Sequence, residues 1–161
     1  MARVAVNPTV LAGDSDGTGL ELIPVLATNS KTWKKGELGY FTSGAVSPVV
    51  TTGVTSADCI FADDQSTSTS ATTVWVYLLR PGVRMLIYVS ATGVAGTAAS
   101  ATLGTKYGVY GASNITYLDT DTRNGAFQVI RKYSTANPEE DGWSDADAAP
   151  GLVEVEFSNI S

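Results

Sequence analysis

The chain has 161 residues, a formal charge of −6, one cysteine and no histidine. The acidic balance disfavours nucleic acid and anionic membrane surfaces as partners. The lone Cys59 forbids an internal disulfide, and the missing histidine excludes Ser-His-Asp and Cys-His catalysis along with ordinary zinc sites. With 43% apolar residues, 16% charged residues and 16 glycines, the composition is that of one all-β domain with many turns, long enough to bury a core without staples.

Residues 1–32 read as an extended N-terminal arm, in which Pro8, the run GDSDGTG and Pro24 interrupt short apolar pieces. Val4 and Val6 share one face of a strand with Ala5 on the other, and Pro8 stops ladder pairing. The tip Ala2, Arg3, Val4, Ala5, Val6 therefore either lays a strand on the edge of a neighbour or stays a disordered tail. With one Arg and no long apolar run, this terminus predicts neither secretion nor membrane insertion, and synthesis in the cytosol fits the single cysteine.

A β domain is expected over 33–133. KTWKKGELGYFTSGAVSPVV predicts strand, glycine turn, strand, with Trp33, Leu38, Tyr40 and Val46 buried. Lys31, Lys34 and Lys35 form the only basic cluster and read as a solvated face. Cys59, between apolar neighbours, reads as a small buried hydrophobe rather than a nucleophile, and QSTSTSATT at 65–73 as a flexible polar loop or the frayed entry to the strand that follows.

The longest apolar run, TTVWVYLLRPGVRMLIYV at 72–89, predicts two strands joined at Pro81-Gly82. Val74, Val76 and Leu78 face one way and Trp75, Tyr77 and Leu79 the other, while Val83, Met85, Ile87 and Val89 oppose Leu86 and Tyr88. Both faces are apolar, so these strands must lie inside a barrel or sheet pair, or be covered on the second face by another subunit. Pro81-Gly82 suits the middle of a type II turn.

SATGVAGTAASATLG at 90–104 reads as loop. LGTKYGVYGASNITYLDTDTRNGAFQVIRKY at 103–133 reads as a further β pair that turns at Asn124-Gly125, the strongest short-range hairpin signal in the chain. Residues 134–161 hold an acidic loop around Trp143 and then a strand that packs on the β domain. In that strand Val153, Val155 and Phe157 share one face and Glu154 and Glu156 the other, the alternation of an edge strand with one wet face.

No constellation of polar residues points to catalysis. Asp14 and Asp16, and again Asp119 and Asp121, begin loops of calcium-binding spacing, but the first lacks the closing Glu and the second places Arg123 at a ligand position. Asp63, Asp64, Glu139 and Glu140 have no spacing that marks a catalytic pair, and GTGLEL lacks the lysine of a phosphate loop. No enzyme activity, cofactor or metal is expected. Trp143 with Tyr107 and Tyr110 forms the aromatic set that a sugar-stacking module would use.

The pattern K-G-x-L-G-Y-F-x-S-G-A-V-x-P-V at Lys35 to Val49, followed by VWVYLLRPGV, LGTKYGVYG, YLDTD and AFQVI, resembles the layout of tailed-bacteriophage capsid decoration (cement) proteins over residues 33–133. The expected fold is a small β-barrel or β-sandwich, β-tulip or jelly-roll-like, of about eight to ten strands, with an extended N-terminal arm and a C-terminal edge strand. The resemblance implies a non-enzymatic homotrimer, made in the host cytoplasm. It would bind the outer surface of the capsid and stabilise the lattice of the major capsid protein. It also implies that Ala2, Arg3, Val4, Ala5 and Val6 form the capsid-binding arm. Trp75, Tyr77, Leu79, Trp143, Val153, Val155 and Phe157 would supply the subunit interface. The alternative is a carbohydrate-binding or receptor-binding β module of a virion.

Overall fold

A strand with two apolar faces must be enclosed twice, and the computed structural model shows how. It describes residues 6–12, 20–50, 54–91, 94–96, 100–133 and 151–158, which hold twelve strands in two sheets and no α-helix. The first sheet is a closed barrel in which β2 (Leu22–Ala27), β4 (Ala45–Pro48), β3 (Leu38–Thr42), β5 (Cys59–Phe61) and β6 (Thr73–Leu78) pair in that order, with β6 returning to β2. Closure removes the free edges. Ala27, Trp33, Val46, Cys59, Phe61, Val74 and Val76 fill its interior, where the Trp33 and Phe61 rings stack at 4.3 Å.

The second sheet runs β1 (Thr9–Ala12), β7 (Arg84–Ala91), β10 (Ile115–Arg123), β9 (Lys106–Ala112), β11 (Phe127–Tyr133), β12 (Leu152–Phe157). Because β12 also pairs with β7, five of these strands form a ring, with β1 and the short β8 (Val94–Ala95) attached to β7. Val83, Met85, Ile87 and Val89 all point into this ring and are fully buried, as their alternation predicts.

Pro81-Gly82 does not make a hairpin between β6 and β7. Gly82 has φ +94°, and Val83 N–H donates to the Arg80 carbonyl at 3.2 Å, so the turn is of type II, but it carries the chain from one barrel to the other. Gly82 N–H donates to the Phe157 carbonyl and Phe157 N–H to that of Val83, which ties the crossing to β12.

The hairpin expected at Asn124-Gly125 is likewise a crossing. β10 and β11 flank β9 on opposite sides, and Gly125 lies so close to the Tyr107–Gly108 backbone that a Cβ there would overlap it. The positive φ of Asn124 serves that step. The real two-residue hairpins are β3–β4 through Ser43 (φ 48°) and Gly44 (φ 78°), and β9–β10 through Ser113 (φ 52°) and Asn114 (φ 61°).

Three further expectations are corrected. The described parts of the segment read as an N-terminal arm are packed on their own chain: β2 is a barrel stave, and β1 pairs antiparallel with β7. The C-terminal strand is not an edge, since β11 and β7 flank it, and the Glu154 face is mostly covered, its carboxylate 3.8 Å from Arg131. The Ser/Thr-rich segment is pinned rather than loose: buried Ser68 donates through its hydroxyl to the Thr28 carbonyl and through its N–H to that of Lys31, and its own carbonyl accepts from Ser30.

The barrels are joined by Asn7 as well as by apolar packing. Its amide donates to the Lys35 carbonyl at 3.3 Å and the Asn114 carbonyl at 3.0 Å, and its Oδ1 accepts from Thr116 N–H at 3.0 Å. Beside it, the Leu38 amide donates to the buried Thr116 hydroxyl. Asn7→Ala would strand the N–H of buried Thr116, so denaturant titration should find the variant about 1–3 kcal/mol less stable.

Candidate functional site

β6 explains what its outer face does. Tyr77 and Leu79 are half-buried against the core of the second barrel, which leaves Trp75 46% exposed. Trp75 lies directly opposite Pro24 on β2, and Leu22 and Leu26, two residues to either side of Pro24, are 45% and 49% exposed. These four side chains make a continuous apolar patch on the outside of the first barrel. An Arg80–Glu21 ion pair of 2.8 Å, itself exposed, lies at the Leu22 end.

A groove of about 740 Å³ runs beside the segment Val6–Val10. Tyr77 and Ile115, both half-buried, line it with the buried Ile60 and Phe61, and the exposed Lys34 and Lys35 stand at its rim. Lys34 is 3.6 Å from Asp64, whose carboxylate accepts the Lys35 backbone N–H at 2.8 Å; that hydrogen bond, with the lysine charges, holds Asp64 below the usual carboxylate range.

Behind the rim lies Glu37, only 3% exposed. Its carboxylate accepts the Lys34 N–H at 2.8 Å while its own N–H donates to the Lys34 carbonyl, closing a turn in which Gly36 takes φ +89°. Burial pushes its pKa from 4.5 up to about 7, with the hydrogen bond from Lys34 opposing the shift and the Asp64 charge adding to it. The side chain borders a small cleft of about 140 Å³ between the barrels, next to Val49 and Gly111.

The structure gathers only some of the residues expected to form an interface. Trp75 is exposed, whereas Tyr77 and Leu79 are engaged within the chain. Val153, Val155 and Phe157 are buried in the core of the second barrel and have no surface left for a partner, because β12 is an interior strand. Of the arm residues, Val6 is exposed, and Ala2, Arg3, Val4 and Ala5 lie outside the described residues, as does Trp143. Sequence reasoning missed Leu22, Pro24 and Leu26; their spacing of two was the signal, hidden by assigning them to the arm. Glu37 carries no comparable mark.

Of the two acidic turns, Asp14 and Asp16 lie outside the described residues. Asp119 is buried and turned onto its own strand, accepting from the Thr122 hydroxyl at 2.7 Å and from Asp121 N–H at 3.2 Å. Among the described residues no three His, Cys, Asp or Glu side chains gather as they would around a metal, and no helix is long and apolar enough to cross a membrane. No family model, curated protein or solved structure matches the chain.

Two predictions follow from burial. The Glu37 pKa is raised on folding, so its contribution to stability is complete below pH 4.5 and is lost as the pH rises through about 7. Across that window the loss is at most about 3 kcal/mol, and Glu37→Gln should flatten it in denaturation curves taken at several pH values. The Cys59 thiol is fully buried and pushed up to about 12, chiefly by burial. An aromatic disulfide reagent should leave it unmodified in the native protein and titrate one thiol after denaturation.

Proposed function

We propose that the chain is a structural protein of a tailed-phage virion, a trimeric decoration or cement protein that sits on the outer capsid surface and stabilises the lattice of the major capsid protein. The observation that carries the reading is the patch of Leu22, Pro24, Leu26 and Trp75, an exposed apolar sheet face that gathers a large aromatic and three aliphatic side chains on two paired strands. Such a face marks an association surface, and a tryptophan among aliphatic neighbours is the usual anchor of one.

In this reading the mechanism is linkage. A trimer that binds only the mature lattice stabilises it by about 2.7 kcal/mol for each site at a free concentration of about 100 Kd. Three copies joined by a modest contact engage several lattice subunits, and the second contact then forms at high effective concentration. The exposed end at Val6 is where the preceding residues would reach a capsid subunit.

Light scattering is expected to give a mass three times the 16.7 kDa of the chain, and Trp75→Asp should reduce it to a monomer with an unchanged far-ultraviolet spectrum. The trimer should sediment with expanded empty capsids. A folded monomer that leaves such capsids bare would overturn the reading and direct attention to glycans.

A further inference from the structure

Apart from the patch on β2 and β6, the described surface has a second feature that the capsid reading does not use, the groove beside β1. Among the described residues β1 pairs only with β7, so its other edge presents backbone N–H and carbonyl groups in a molecule whose remaining long strands are closed into rings. Val6, Val10 and Leu11 are exposed along this segment. The groove's volume of about 740 Å³ falls within the ~300–1,000 Å³ of clefts that hold a ligand.

The charge at the rim selects the occupant. The chain carries −6 overall, yet its only basic cluster borders this groove. Asp64 forms an ion pair with Lys34 and also feels the Lys35 charge, whereas the Lys35 ammonium makes no salt bridge of its own among the described residues. The segment around Arg3 of a second copy is a poor fit, because its guanidinium would meet Lys34 and Lys35.

We propose that this groove docks an extended segment of another protein. That segment alternates apolar and polar residues, carries carboxylates at one end, and lies beside β1. Its backbone would pair with the open edge of β1, its apolar side chains would rest on Val10, Tyr77 and Ile115, which line the groove and are exposed or half-buried, and its carboxylates would meet Lys35. Strand addition supplies affinity through the main chain, and the lysine sets direction by fixing which end is acidic. The proposal is independent of the capsid reading, since a protein that decorates no capsid can still dock such a segment.

The test uses the full chain and dye-labelled seven-residue peptides that alternate valine and threonine, with two aspartates or two lysines at one end, read by fluorescence anisotropy. The acidic peptide should bind at least tenfold more tightly than the basic one. Lys35→Glu should reverse that preference, and N-methylation of alternate peptide bonds should abolish binding. Lys35 is exposed and its backbone contacts do not involve the side chain, so the variant should fold, which its circular dichroism will check. Equal binding of the two peptides, or no binding at millimolar concentration, overturns the proposal. So does a Lys35-dependent self-association seen by light scattering, which would give the groove to a second copy of the chain.

Discussion

The structure depends on the fact that β6 is apolar on both faces. A small closed barrel can bury one face of each stave, and here Val74 and Val76 fill the interior with Trp33 and Phe61. The outer face then needs its own cover, and the second barrel provides it only at Tyr77 and Leu79. One strand therefore fixes three things: the core of the first barrel, the docking of the second against it, and the uncovered remainder around Trp75. The short link through Pro81-Gly82 holds the two barrels in that relation, because a turn of this size lets β7 begin only where β6 ends.

Much of the fold was legible because strand alternation is a local property. The inward sets on β6 and β7, the β3–β4 hairpin, and the burial of Trp33, Leu38 and Cys59 follow from the period of two and from turn chemistry. What was not legible is pairing. Asn124-Gly125 has the composition of a hairpin, yet the same tolerance of positive φ and the same lack of a Cβ let the chain cross β9 at close range, and only the partner strands decide between the two uses. Glu154 and Glu156 alternate as though one face were wet, but Arg131 and Arg84 on the flanking strands take up their charges, so a polar face was compatible with an interior strand. Pro24 misled for a related reason: proline is excluded from strand interiors by its missing N–H, and β2 tolerates it opposite Trp75.

The candidate surfaces were less visible than the fold. Trp75 stood out as a large aromatic on the second face of a core strand, but its neighbours Leu22, Pro24 and Leu26 come from a segment some fifty residues earlier, brought beside it by antiparallel pairing. The groove is still less local, since Val6–Val10, the turn at Lys34–Gly36, β5, β6 and the β9–β10 hairpin all contribute to it. Glu37 is ordinary in sequence and unusual only because its turn is pressed between two barrels, where burial keeps its proton to near neutrality.

Closing strands into rings limits how this protein can associate. Backbone pairing with a partner needs an open edge, and the two rings leave β1 and β8 as the terminal strands among the described residues. Any other contact must be made through side chains on a sheet face, and among the described residues an uncovered apolar face lies on β2 and β6. The two modes differ in their physical dependence. A face of leucine, proline and tryptophan holds through burial and is nearly indifferent to salt. An edge beside Lys34 and Lys35 adds a charge term, which weakens as ionic strength rises. Tyr77 belongs to both, standing next to Trp75 on the outer face of β6 and in the lining of the groove. A partner held at the groove therefore rests on the same strand that presents the patch. Because Tyr77 and Trp75 sit two residues apart on one barrel stave, the spacing between the two surfaces is set by the strand itself.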